Sequence, residues 1–156
     1  MKGFPDYMGN YMLLDDEEQM KIKKIYAGWS ELEYKTQAEN GAGIFFILMK
    51  NRQTPGQIVQ NISGVILDNF SSFKSTFKGF LSNDSISFTK EYSKEAIEST
   101  MVPEEGIAYK AKKISPYIFK GIYNMPADER APAWNGKFIL LKYPEAVLRK
   151  ISMSYN

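Results

Sequence analysis

The chain has 156 residues, 44% hydrophobic and 24% charged, with 20 Lys and Arg against 18 Asp and Glu and a net charge of +2. It contains neither histidine nor cysteine, which excludes Ser–His and Cys–His nucleophiles, imidazole ligands, zinc–sulfur centres and disulfides. The near-balanced charge argues against the clustered cationic face of a nucleic-acid binder.

A chain of this length suits one domain, spanning 1–156, that buries roughly two-thirds of its unfolded surface. Ten Phe and ten Tyr bring the aromatic fraction to 14%, an excess that favours strands and a lined interior. Residues 1–20 lack a signal-peptide pattern, and the longest apolar run, Ala42–Met49, is too short to span a bilayer. A soluble, cytoplasmic protein with no membrane span is the expectation.

Tyr7–Leu14 reads as a short strand or extended arm. Asp15 then caps a helix through Met20, Ile22, Ile25 and Tyr26, with Glu18 completing a capping-box pattern and Gly28 ending it. Acids early and lysines late suit the helix dipole. Trp29–Lys35 and Gly43–Lys50 form a hairpin around the Glu39-Asn40-Gly41 turn signal.

Gln57–Asp68, Ser72–Leu81 and Ile86–Tyr92 follow as alternating strands separated by turn residues at Asn69 and at Ser82–Ser85. In the first of these, Gly64 shares parity with Ile62 and Ile66, which marks a bulge or a close backbone approach. Ser93–Glu105 is a polar connection with room for one helical turn. Ile107–Ile114, Tyr117–Met125 and Gly136–Tyr143 are further strands, and Pro144–Lys150 is a short C-terminal helix. The succession is mainly β: an antiparallel up-and-down barrel of eight to ten strands with a short N-terminal helix, closed so that no edge is left unpaired.

Three spacings, Ile62-x-Gly64-x-Ile66-x-Asp68, Phe77-x-Gly79 and Ile86-x-Phe88-x-Lys90-x-Tyr92, resemble the central hairpins of small lipocalin-like (calycin or avidin-type) barrels. Ile107-x-Tyr109, Gly121-x-Tyr123 and Trp134-x-Gly136-x-Phe138 resemble their closing strands. The resemblance covers about residues 57–143, while Gly28-Trp29 is only a fragment of the lipocalin N-terminal signature. It implies a cup for a small apolar or amphipathic ligand and leaves the ligand's identity open.

Phe88, Lys90, Tyr92, Tyr109 and Tyr123 are the candidate ligand-binding residues, with Phe119 and Phe138 able to join them. Aromatic rings offer stacking and hydroxyls offer placed hydrogen bonds. Lys90 shares parity with an apolar row, so it either anchors a ligand's anionic group or snorkels at a barrel end. Asp68 is a second polar candidate, more simply read as a turn residue. Asp128-Glu129-Arg130 is read as an exposed loop, and the basic stretches Lys21, Lys23, Lys24 and Lys110, Lys112, Lys113 as solvated faces rather than binding patches. Phosphate loops, EF-hand patterns and zinc spacings are absent, so no cofactor, metal or catalytic residue is expected.

Three readings follow. The first is non-catalytic ligand binding inside the barrel, with segment 15–28 as a lid. The second is a filled barrel that docks a protein partner through its exterior or its N-terminal arm, with segment 15–24 and loop 126–135 as the surfaces to probe. The third is a barrel isomerase or cyclase that works by shaping its substrate.

Overall fold

The computed structural model describes residues 16–31, 42–51, 56–68, 74–99, 104–127, 129 and 132–142. Eight strands run in chain order: β1 Lys24–Glu31, β2 Ala42–Met49, β3 Val59–Asp68, β4 Ser75–Ser82, β5 Ser85–Glu91, β6 Ile107–Ser115, β7 Ile118–Met125 and β8 Trp134–Lys142. Each pairs antiparallel with the next, and β8 pairs with β1, so the barrel is closed and up-and-down. Among the described residues two short helices accompany it, α1 Asp16–Lys21 before β1 and α2 Lys94–Ser99 between β5 and β6.

The N-terminal helix is therefore present but stops at Lys21. Residues 24–28, expected in the helix and its lid, instead open β1. The reason is tertiary. Tyr26 pairs with Ile47 on one side and Lys142 on the other, and these ladders outweigh a weak helical pattern. The expected elements Tyr7–Leu14 and Pro144–Lys150 lie outside the described residues.

In α2, Ser93 is the N-cap: its Oγ accepts a hydrogen bond from the Ala96 N–H at 3.1 Å. The β4–β5 turn is tied by the Ser85 N–H donating to Ser82 Oγ at 3.1 Å and by Ser82 Oγ donating to Asp84 Oδ1 at 2.8 Å. Between Lys113 and Ser115 the β6–β7 register slips, and this bulge leaves Ile114 exposed.

Inward positions make one core. Tyr26, Phe45, Ile47, Ile62, Phe77, Phe88, Tyr109, Phe119, Tyr123, Phe138 and Leu140 are all buried in it. On β1–β3 the outward positions Ile25, Ala27, Phe46, Leu48, Val65 and Leu67 are buried too. That explains the unbroken apolar run of β2: a strand covered on both faces shows no alternation. From β4 to β7 the outer face is wet and the alternation is clean.

Candidate functional site

The barrel register brings three of the five predicted residues into one row. Phe88 on β5 lies directly opposite Tyr109 on β6, which lies directly opposite Tyr123 on β7. All three are buried in the interior. Phe88 and Tyr109 stack with centroids 4.7 Å apart, and Tyr109 and Tyr123 tilt together at 5.8 Å. Phe138 meets Tyr109 edge-on at 5.1 Å, and Phe45 reaches Tyr109 at 5.8 Å. The interior at this level is thus filled by rings from five strands.

The row is flanked by glycine. Gly79 on β4 faces Phe88, and Gly136 on β8 faces Tyr123. Three more inward glycines pair in the same way: Gly28 with Phe45, Gly64 with Phe77 and Gly121 with Phe138. A large ring opposite no side chain is how a narrow barrel fits bulky residues around one circumference. At Gly64 an added Cβ would run into the Leu48 carbonyl oxygen, so the close backbone approach expected there is what the structure contains.

Lys90 occupies the next inward position of β5, between Phe77 and Ile107 on the neighbouring strands. It is 4% exposed, and its Nζ lies 4.7 Å from the centroid of the Tyr92 ring. A cation on an aromatic face in a desolvated setting gains more than the same contact in water. Tyr92, half-buried, packs on the edge of the core beyond Lys90. Phe119 is interior as well, 6.1 Å edge-to-face from Tyr26. Asp68 ends β3. Glu129 is exposed. Among the described residues, no group of three acidic side chains is placed to hold a metal ion.

At the opposite end, where β1 begins, the barrel brings together polar groups that the linear sequence left in separate solvated stretches or did not mark. Lys24 and Lys142 take interior-facing positions on β1 and β8, and Lys142 lies directly opposite Tyr26. Burial, then the charges of Lys142 and Lys113, lower the pKa of Lys24. Burial pushes the Tyr26 hydroxyl up to about 12. The alternation Lys24-x-Tyr26-x-Gly28-x-Ser30 carries the signal for this row. It was masked because the intervening Ile25 and Ala27 are also buried.

A groove of about 560 Å³ crosses the outer wall of β3–β6. Its lining follows two adjacent cross-strand rows, Asn61–Phe80–Ser87–Lys110 and Ser63–Lys78–Thr89–Ala108. Phe80 is 55% exposed there, and Lys78 is paired with Glu91 at 3.5 Å.

No protein-family model, curated protein or solved structure matches this chain. The antiparallel eight-strand barrel is consistent with a lipocalin-like fold. No helix among the described residues is long and apolar enough to cross a membrane.

Proposed function

We propose that the protein is a single-domain, lipocalin-like barrel that binds a small hydrophobic or amphipathic molecule without transforming it. The observation that supports this reading is Lys90, 4% exposed, against the Tyr92 ring and one pleat beyond Phe88 on the inward face of β5. An amphipathic ligand would set its anionic group at Lys90 and its apolar body along Phe88, Tyr92, Tyr109 and Tyr123. Entry would require rings such as Phe88 and Tyr109 to give way, since they now occupy one another's space.

The test is a titration with two fluorescent apolar probes, one carboxylate-bearing and one neutral. Lys90→Met is expected to weaken the anionic probe about tenfold, as loss of a charge-assisted contact does, and to spare the neutral one. Saturable binding that persists unchanged in Phe88→Ala and Tyr123→Ala would sink the proposed lining.

A second reading is a filled barrel that docks a protein partner through its exterior. The groove over β3–β6, with Phe80 standing among polar neighbours, favours it. Phe80→Ser would then abolish partner capture and leave both probe titrations unchanged.

A further inference from the structure

Three lysines surround the barrel mouth at which β1 starts, and the interior reading uses none of them. Lys24 precedes Tyr26 by one pleat on the same inward face, and Lys142 stands across from Tyr26 on β8. Lys113 reaches the mouth from β6, opposite Phe119, with its Nζ 5.6 Å from the centroid of that ring. Tyr26 and Phe119, in edge-to-face contact, floor the opening. The arrangement is a rim of ammonium groups over an apolar base.

Among the described residues, Lys21, Lys78 and Lys94 each make an ion pair, whereas Lys24, Lys113 and Lys142 make none. Acidic residues do occur at this end: Asp16, Glu17 and Glu18 in α1, and Asp84 in the β4–β5 turn. Glu17 pairs with Lys21 at 3.0 Å, and the Asp84 carboxylate, which accepts a hydrogen bond from Ser82 Oγ, makes no ion pair with a rim lysine among the described residues. The mutual repulsion is large enough that Lys142 and Lys113 depress the proton affinity of Lys24 beyond the effect of its burial. Solvated rim lysines ordinarily spread apart, but here three strands aim them at one opening.

We infer that this mouth is a binding site for a phosphate group carried on an apolar body, the phosphate among Lys24, Lys113 and Lys142 and the body against Tyr26 and Phe119. Lysine binds phosphate as a point charge, so three donors from three strands need no planar match. A phosphate monoester carries roughly −1.5 to −2 at neutral pH and offsets most of the rim, where a carboxylate would leave two cations facing each other. A soluble aryl or alkyl phosphate and a phosphate-monoester lipid headgroup share this chemistry. Ile114 near the end of β6 and Tyr117 in the turn that follows, both exposed, would touch the bilayer in the lipid case.

Calorimetric titration of the full chain with inorganic phosphate and phenyl phosphate tests the soluble arm. Co-sedimentation with phosphatidylcholine vesicles, plain or containing phosphatidic acid, tests the lipid arm. Binding in either arm is expected, with phenyl phosphate tighter than inorganic phosphate in the first. Lys24→Met combined with Lys142→Met should weaken it about tenfold or more, and Lys120→Met, on the outer face of β7, should not. Should the double variant fail to fold, Lys113→Gln at an exposed position supplies the same comparison. Silence in both arms, or an equal loss in Lys120→Met, overturns the inference. Phe88→Ala should leave this binding intact, which separates its failure from that of the interior site.

Discussion

Phe88 and Tyr109 face each other across the β5–β6 ladder with their rings only 7° from parallel. Direct cross-strand partners on an inward face are held a fixed distance apart by the backbone, so stacking needs no extra ordering. The pair also anchors the aromatic interior, since Phe77 contacts Phe88, Phe45 and Tyr123 contact Tyr109, and Phe138 contacts both rings. Phe88→Ala should cost about 3–5 kcal/mol in urea unfolding, as a large ring removed from a filled core does. A double-mutant cycle with Tyr109→Ala should return a coupling of about 0.5–1.5 kcal/mol. Strict additivity would mean that the stack contributes nothing beyond area.

The glycine partners of the rings fall into two steric classes. A Cβ at Gly79 would meet the Ser87 carbonyl oxygen and the Phe88 backbone, while one at Gly136 would meet only the ring of Tyr123. Backbone in a paired ladder cannot retreat, whereas a ring can shift at the cost of repacking. Gly79→Ala is therefore expected to lower stability by about 1–3 kcal/mol or more, and Gly136→Ala by less. Chemical denaturation of the two variants side by side checks the order. A milder effect at Gly79 would show that the β4–β5 ladder yields.

The same pairs show what could be read from the linear chain. Spacings such as Ile86-x-Phe88-x-Lys90 and Gly121-x-Tyr123 were legible because one face of β4–β7 is wet, so parity reports directly on burial. The helix expected through Tyr26 failed for the converse reason. Ile25, Tyr26, Ala27 and Gly28 are all buried, so no alternation survives, and the acid-to-lysine gradient before them imitates a helix dipole. The lysine rim was hidden by distance along the chain. Lys24 and Lys142 become neighbours only when β8 closes on β1, a contact that no local pattern encodes.

The β4–β5 turn depends on one hydroxyl. Ser82 Oγ accepts from the Ser85 N–H and donates to Asp84, so it serves both sides of the hairpin. Ser82→Ala would leave the Ser85 N–H without that acceptor in a partly buried setting. A loss of about 0.5–1.5 kcal/mol in thermal or urea unfolding is expected. Ser82→Thr, which restores the hydroxyl, should recover most of it. Equal losses in both variants would show that the methyl, rather than the missing oxygen, is the problem.

Tyr26 and Lys24 give the alkaline limb of stability two opposed slopes. The Lys24 pKa lies below its ordinary 10.5 in the folded state because of burial first and its lysine neighbours second. The unfolded chain therefore holds the extra proton over the window just below 10.5, and stability rises with pH there. Tyr26 acts later and with the other sign. Its hydroxyl is raised by burial from 10.0 to about 12, so between those values the unfolded chain ionises first and the folded chain holds more protons. Stability falls as pH climbs through that interval, by roughly 2–3 kcal/mol for this one group. Urea midpoints measured from roughly pH 8 to 12 should thus show a rise that Lys24→Met removes and a later decline that Tyr26→Phe flattens. A wild type and a Tyr26→Phe variant that decline in parallel above pH 10 would show that the buried phenol is not what limits the barrel in alkali.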